Sequence, residues 1–191
     1  ESVDVGYAES VRDAIAAADV LVLQGVLPTS PEPAAIAVAR SAGTRVVVNL
    51  APVRDLGDDL AEADPLVVNE IEAGQLIGAE LSAPADVEAA AELLRRAARS
   101  VVVTIGARGA VLVTRDEVTH IPAPAVSDVR DTTGAGDALV GVLAAALAQG
   151  VGLAEATAFG VRAASRSVTV EGVSEQYPDF ALDTLRQGVR T

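Results

Sequence analysis

The chain has no cysteine, methionine or tryptophan, and it has one histidine and four aromatic rings of tyrosine or phenylalanine. Without cysteine there is no disulfide and no thiolate zinc site. One histidine cannot form a histidine metal cluster, so any cation must be held by oxygen ligands. The core must be built from alanine, valine, leucine and isoleucine. The missing methionine also indicates that Glu1 is not a translational start and that an N-terminal part is absent.

Lysine is missing too, so all 14 cationic side chains are arginines, and the net charge is −13. A Walker-type phosphate loop is excluded because it needs a lysine. Such acidity disfavours binding to nucleic acid or to anionic membranes, and we expect neither as a partner. No apolar run is long enough to span a bilayer, and the start of the chain does not resemble a signal peptide. We expect a cytoplasmic protein.

Strand-like and helix-like segments alternate along the sequence, which predicts a parallel sheet covered by helices on both faces. We expect one domain over 1–191, with ligands beyond the carboxyl ends of the strands, where Asn49, Asn69 and Thr104 lie. The predicted strands are 19–24, 45–49, 65–69 and 100–105, followed by a hairpin of 110–114 and 117–121. The predicted helices are 31–42, 56–63, 70–77, 86–99, 134–149, 153–169 and 179–190.

The most informative stretch runs from Asp131 to Asp137, with the sequence Asp-Thr-Thr-Gly-Ala-Gly-Asp, and an apolar helix follows it. The first turn of a helix has unpartnered N–H groups and partial positive charge, and glycines let an anion approach them closely. A carboxylate beside that anion suggests a base that takes a proton from an attacking hydroxyl. The alternatives are a tight turn into a buried helix, a helix cap at Thr133, and a dinucleotide-binding turn. The last fits poorly because a proline-containing loop precedes the glycines.

Three other stretches lie at strand ends. Asn69-Glu70-Ile71-Glu72 starts a helix, so its acids either complement the helix dipole or, at Glu72, help to hold Mg²⁺ directly or through water. The stretch 104–110 is either a plain glycine-rich turn or a place where Arg108 meets a phosphate. The weakest signal of function is the stretch Asn49-Leu50-Ala51-Pro52, which is typical of a turn at the end of a strand. His120 reads as a surface strand residue with a small chance of a role.

Taken in order, these four stretches resemble the carboxyl-terminal two-thirds of a ribokinase-type member of the PfkB carbohydrate kinase family. The match runs from about Asp19 to Pro178, and the Asp-Thr-x-Gly-Ala-Gly-Asp stretch is the hallmark of that family. The resemblance implies a ribokinase-like three-layer α/β sandwich, with a mostly parallel sheet flanked by helices and the lid absent. It implies transfer of the ATP γ-phosphoryl group to a sugar hydroxyl, with ribose to ribose 5-phosphate as the first expectation.

The resemblance also implies roles for particular residues. Asp137 would be the base, and the backbone of Gly134, Ala135 and Gly136 would form the anion hole. The ATP and Mg²⁺ site would be lined by Asn69, Glu72 (for Mg²⁺), Thr104, Gly106, Arg108 and Gly109. A monovalent cation, usually potassium, would be held by Asp131, Thr133 and residues near Ser167, Val170 and Gly172.

Two departures from the family pattern bear on the acceptor and on assembly: the absent N-terminal part and the residue at Val26. The N-terminal part of the family supplies most sugar contacts and the lid, so a homodimer is expected only for a full-length protein with its lid. Val26 stands where ribokinases tend to have a glutamate that contacts the sugar, so the sequence leaves open whether the acceptor is ribose. The alternatives are a PfkB-type kinase of fructose, ketodeoxygluconate or a nucleoside, and a nucleotide-binding fragment without turnover. We expect the chain alone to bind ATP·Mg²⁺ weakly and to phosphorylate sugars poorly.

Overall fold

The computed structural model describes residues 10–24, 31–53 and 57–172. Val26 and the predicted helix 179–190 lie outside this part of the chain. Six strands in the described part form one sheet, with neighbours in the order in which they occur along the chain. The strands are β1 (Val20–Gln24), β2 (Arg45–Asn49), β3 (Leu66–Asn69), β4 (Val101–Thr104), β5 (Ala110–Val113) and β6 (Val118–Ile121). The helices are α1 (Arg12–Ala17), α2 (Glu32–Ala42), α3 (Glu70–Ile77), α4 (Pro84–Ala89), α5 (Ala91–Leu94), α6 (Ala135–Ala148) and α7 (Leu153–Ser167).

The sheet is mixed, because its first four strands are parallel and the last two form an antiparallel hairpin. Strands β1 to β4 pair in parallel, whereas β4 pairs with β5 and β5 with β6 in antiparallel register. Parallel neighbours need crossover connections, and α2 and α3 lie in such connections. The hairpin expected from the sequence is confirmed, with Arg115 and Asp116 in its turn.

Helices cover the sheet on both faces, so the fold has three layers. Side chains alternate along a strand, and in β2 Val46 and Val48 belong to one buried cluster while Val47 belongs to the other. The first cluster includes Ile36 of α2 and Leu94 of α5. The second cluster includes much of α6 and α7, with the fully buried Phe159 among its members. Valines buried on both faces explain why the strands read as continuous apolar runs.

Local signals set the ends of two helices where the sequence predicted them. Helices α2 and α3 each end at a glycine in the left-handed region, Gly43 at φ 79° and Gly78 at φ 69°. Glycine adopts this conformation without the clash that a Cβ would cause. The end of α6 at Ala148 and that of α7 at Ser167 lie within two residues of their predicted ends.

The single helix predicted over 86–99 is wrong. The chain forms α4 and then α5, with Ala90 between them at φ −88° and ψ 2°. Beyond α5 the amides of Arg96 and Ala97 donate to carbonyls three residues back, which is the tighter 3₁₀ pattern. The amide of Arg99 then donates to the carbonyl of Ala63 at 3.0 Å. Tertiary contacts therefore override the helical periodicity so that the chain can enter β4.

The segment predicted as a helix over 56–63 is a 3₁₀ helix, Gly57–Glu62. Among the described residues, no helix is long and apolar enough to cross a membrane.

Candidate active site

The carboxyl ends of the parallel strands bring polar side chains to one edge of the sheet. In the register of the sheet, Gln24 of β1 lies beside Asn49 of β2, and Asn69 of β3 lies beside Thr104 of β4. All four residues are the last of their strands. Ligands of open α/β sheets bind outside this edge. The prediction that Asn49, Asn69 and Thr104 share one end of the sheet is confirmed.

Helix α6 begins directly after Gly134, in the glycine-rich stretch that the sequence predicts to bind an anion. Gly134 is the N-terminal cap at φ 78°, and its carbonyl accepts the amide of Ala138 at 2.9 Å. The amide of Ala135 donates to the carbonyl of Thr132 at 3.3 Å, a long bond that a closer anion would displace. A Cβ built on Gly136 meets nothing within 4 Å, so the approach to this part of the backbone is open.

Asp137 lies in the first turn of α6 and is exposed. The side-chain amide of Gln24 donates to its Oδ1 at 3.5 Å, across 113 positions of sequence. This contact places the start of α6 at the carboxyl end of β1. One carboxylate oxygen of Asp137 therefore faces the polar edge of the sheet, and its second oxygen has no partner among the contacts of the described residues.

The start of α3 is a reciprocal capping box. The amide of Glu72 donates to Oδ1 of Asn69 at 2.8 Å, and Oε2 of Glu72 accepts the amide of Asn69 at 2.9 Å. Both donors at the helix start are thereby satisfied. The capping box alone thus explains why an asparagine and a glutamate occupy these two positions. The side-chain N–H₂ of Asn69 and Oε1 of Glu72 take no part in the box, and they are the atoms that could meet a nucleotide or a hydrated cation.

The stretch after β4 forms a 3₁₀ turn, Gly106–Arg108. Thr104 is half-buried, and its hydroxyl donates weakly to the carbonyl of Val68 at 3.5 Å. Gly106 has φ 49°, and Gly109 has φ 91° and ψ −132°, a region that only glycine enters readily. A Cβ on Gly109 would lie 2.1 Å from the carbonyl oxygen of Ile121, so a side chain there would collide with the end of β6.

The guanidinium of Arg108 is exposed and lies in the field of an acid near the start of α4. Backbone and side-chain hydrogen bonds from Ser82 lower the pKa of Asp86, followed by the Ala83 amide and the charge of Arg108. The amides of Ser82 and Ala83 each lie 2.8 Å from Oδ2 of Asp86. Arg108 therefore lies close enough to Asp86 for its charge to act on that carboxylate.

The residues assigned to a monovalent cation come together in part. Oδ1 of Asp131 accepts the amide of Thr133 at 2.9 Å, and bonds from Thr133 and then Gly172 lower the pKa of Asp131. The amide of Asp131 donates to the carbonyl of Val168 at 3.3 Å, which joins this loop to the end of α7. The loop that precedes α6 and the segment that follows α7 thus meet at Asp131.

Ser167 and Val170 lie on that same segment. The Ser167 side chain is buried and its hydroxyl donates to the carbonyl of Ala164, so it is the backbone carbonyl that remains as a ligand. That carbonyl accepts the amide of Val170 at 3.2 Å. No cluster of three or more acidic or histidine ligands occurs in the described ranges. Carbonyl oxygens with one carboxylate suit a large, weakly hydrated cation.

Two contacts at this edge were not anticipated from the sequence. Gln24 ends the predicted strand 19–24, but its contact with Asp137 was not predicted. His120 is a surface residue of β6, as expected, and its Nε2 lies 2.8 Å from the carbonyl oxygen of Arg108. The distance along the chain hides both contacts, because they depend on which elements pack together.

The sequence of the chain also matches known proteins. The model of the pfkB family carbohydrate kinases matches residues 4–179. The chain belongs to this family. A ribokinase of Haemophilus influenzae is 35% identical over 166 residues, which are 86% of this chain and 54% of the relative. A 1-phosphofructokinase of Haloferax volcanii is 38% identical over 168 residues, which are 85% of this chain and 52% of the relative. The chain thus spans about half the length of these relatives.

Solved structures agree with this family assignment. The ribokinase of Arabidopsis thaliana complexed with ribose and ATP has a TM-score of 0.84 at 24% identity, covering 96% of this chain and 59% of that one. At this identity the likeness establishes the fold. Phosphofructokinase-2 of Escherichia coli in complex with potassium has a TM-score of 0.72 at 27% identity, covering 90% of this chain and 59% of that one. The ribokinase-like fold expected from the sequence is confirmed.

Proposed function

We propose that the chain is the nucleotide-binding portion of an ATP-dependent kinase that phosphorylates a sugar hydroxyl, with ribose as the first candidate acceptor. The observation that carries the proposal is the position of Asp137. Its carboxylate lies in the first turn of α6, beside open backbone at Gly136 and against Gln24 at the carboxyl edge of the sheet. This position suits a base that faces both a phosphoryl group and an acceptor.

The proposed chemistry is an in-line transfer. Oδ2 of Asp137 accepts the proton of the sugar hydroxyl as the hydroxyl oxygen attacks the γ-phosphorus and the bond to the β-phosphate oxygen breaks. We propose that the amides of Gly134, Ala135 and Gly136 stabilise the charge on the transferring group. Because Gln24 contacts Oδ1, we assign the proton transfer to the other oxygen. The Asp137 carboxylate repels phosphate, but the proposed mechanism requires it because it accepts the proton of the sugar hydroxyl.

The spacing of the strands supports a nucleotide that lies along the edge of the sheet. Asp137 contacts β1, whereas Thr104 and the turn Gly106–Arg108 follow β4. The ends of β1 and β4 are three strand spacings apart, about 14 Å at about 4.8 Å each. A triphosphate with its ribose spans a comparable length. We propose that adenosine lies near 104–109 and that its phosphates extend along Asn69 towards α6.

The donor atoms suit the two proposed cations. Oε1 of Glu72 would meet Mg²⁺ through water, since magnesium keeps most of its waters and Oε2 is engaged in the capping box. Asp131 and the carbonyls of Thr133, Ser167, Val170 and Gly172 would hold potassium. When bound, the two ions would neutralise phosphate charge and order the loop before α6. Potassium is present in a solved relative, which supports the second assignment.

The proposal is tested by measuring ADP release from the protein at its full length over a panel of ribose, deoxyribose, fructose, fructose 1-phosphate, ketodeoxygluconate and nucleosides. We expect turnover with one of these acceptors. Asp137→Asn should reduce kcat by at least about 10³-fold and leave ATP affinity nearly unchanged. Asp128→Asn is the matched control, because Asp128 is an exposed acid of the preceding loop whose partner is Arg130. Near-normal turnover by Asp137→Asn would disprove the assignment of the base.

A nucleotide-binding role without turnover is the second candidate. The two candidates differ in the same assay, because a binding module would bind ATP·Mg²⁺ without releasing ADP for any acceptor. The 191-residue chain by itself is expected to bind ATP·Mg²⁺ weakly and to turn over poorly, since closure over a site is needed to exclude water. Dimerisation is proposed only for the full-length protein.

A further inference from the structure

The turn after β4 is attached to strand β6 at two consecutive backbone groups. The first attachment is the hydrogen bond between Nε2 of His120 and the carbonyl oxygen of Arg108, at 2.8 Å. The second is the close approach of Gly109, where a Cβ would lie 2.1 Å from the carbonyl oxygen of Ile121. His120 and Ile121 are neighbours in β6 and pair with Val111 and Ala110 of β5. The peptide group between Arg108 and Gly109 is thus hydrogen-bonded to β6 through its carbonyl and packed against β6 at Gly109.

The chemistry of the first contact determines the form of the imidazole ring. A backbone carbonyl only accepts hydrogen bonds, so Nε2 of His120 carries the hydrogen. In the neutral ring this leaves Nδ1 as the acceptor. The bond is long-range, joining residues 12 apart across a turn and a strand. It therefore holds the turn from outside, in addition to the turn's own bonds from Arg108 to Ile105 and from Gly109 to Gly106.

These contacts hold the peptide group between Arg108 and Gly109 in place. A rotation of that peptide group would change ψ of Arg108 and φ of Gly109 and would break the His120 bond. The proposed adenine-nucleotide site uses this turn, so its shape before binding affects the entropy cost of binding.

We propose that His120 is a positioning residue for the nucleotide: it holds the turn Gly106–Arg108 in the conformation that binds ATP, and it acts on nucleotide affinity rather than on phosphoryl transfer. This inference rests on the proposed function. In this proposal His120 does not contact the nucleotide; it acts through its contact with the carbonyl of Arg108.

The test compares three variants of the full-length protein with ATP and magnesium as the probe. His120→Phe keeps a planar ring and removes the donor, and we expect the Kd and KM for ATP to rise about 5-fold, as for one lost hydrogen bond, with kcat at saturating ATP unchanged. His120→Gln supplies an amide donor and should return both values to within about 2-fold of the original. Arg115→Ala, an exposed change in the turn of the same hairpin, should alter neither.

Because the chain has one histidine, its imidazole nitrogens give one set of signals in ¹⁵N NMR. We expect hydrogen on Nε2 without nucleotide, and a change in these signals when ATP and magnesium are added. A KM for ATP that is unchanged in His120→Phe would overturn the inference and leave the kinase proposal standing. A fall in kcat with unchanged KM would also overturn it. If the unsubstituted protein binds no ATP, both the inference about His120 and the kinase proposal are overturned.

Discussion

Substitution of Gly136 by alanine distinguishes the effect of this residue on the stability of the helix from its effect on the proposed binding of the phosphoryl group. A Cβ on Gly136 meets nothing within 4 Å, and Gly136 has no positive φ, so the fold does not require glycine there. Alanine in a helix is favoured over glycine by about 0.5–1 kcal/mol. For a chain of this size that gain raises the melting temperature by about 1–4 °C. Gly136→Ala should therefore be more stable than the original protein.

The same methyl group should impair the chemistry. In a helix the Cα–Cβ bond tilts towards the N-terminus, so the alanine side chain would point to the end of α6 where the phosphoryl group is proposed to lie. Loss of one donor to a developing anion costs about 3 kcal/mol, which corresponds to about a 10²-fold fall in kcat. Gly136→Ala should thus gain stability and lose activity together.

Calorimetry and the ADP-release assay check this prediction side by side. Gly141→Ala is the matched control, because Gly141 lies in the same helix, is exposed, and would also place its Cβ in open space. We expect Gly141→Ala to raise the melting temperature by a similar amount with unchanged kcat. Gly136→Ala with kcat within about threefold of the original would refute the anion-hole assignment, because the methyl would then block nothing.

Three further predictions follow from the site. Glu72→Gln retains an acceptor for the capping box and should leave the melting temperature unchanged while raising the Mg²⁺ concentration needed for half-maximal turnover; an unchanged magnesium requirement would show that Glu72 is only a cap. Gly109→Ala should lower stability by about 3 kcal/mol or more in denaturant unfolding, against about 1 kcal/mol for Gly106→Ala, which has open space. The pKa of Asp131 is lowered by folding, so its contribution to stability is present above its ordinary pKa and lost as the pH falls below about 4; the unfolding free energy of Asp131→Asn should depend less on pH in that range, and an equal dependence would refute this.

The parts of the fold that could be predicted from sequence are those whose signals are local. Helix α3 was predicted residue for residue because Asn69 and Glu72 form its cap and Gly78 ends it. Strand β2 was predicted with the same accuracy from an apolar run that ends at Asn49. The long helix over 86–99 was predicted wrongly, because its periodicity is helical while its ends are tied to Ala63 and to β4.

The candidate site also has features that could be predicted from sequence and contacts that could not. The order of the strands brings Asn49, Asn69 and Thr104 to one edge, and parallel pairing was enough to predict this. The contact between Gln24 and Asp137 could not be predicted, because it depends on which end of β1 the start of α6 packs against. Sequence also favoured neither reading of Glu72; the capping box shows that one role is structural and leaves one carboxylate oxygen for another.

An acidic protein without lysine can still hold a triphosphate, because the relevant forces act at short range. The net charge of −13 is spread over the surface, and salt screens such charges beyond about 8 Å at physiological ionic strength. The proposed donors, which are the amides at the start of α6 and the side-chain amide of Asn69, act at about 3 Å. Arg108 adds a charge, although Asp86 shares it. Backbone N–H groups cannot be removed by substitution of a side chain, so in the proposed site the amides beside Gly136 would contact the phosphoryl oxygens that a lysine contacts in a Walker loop.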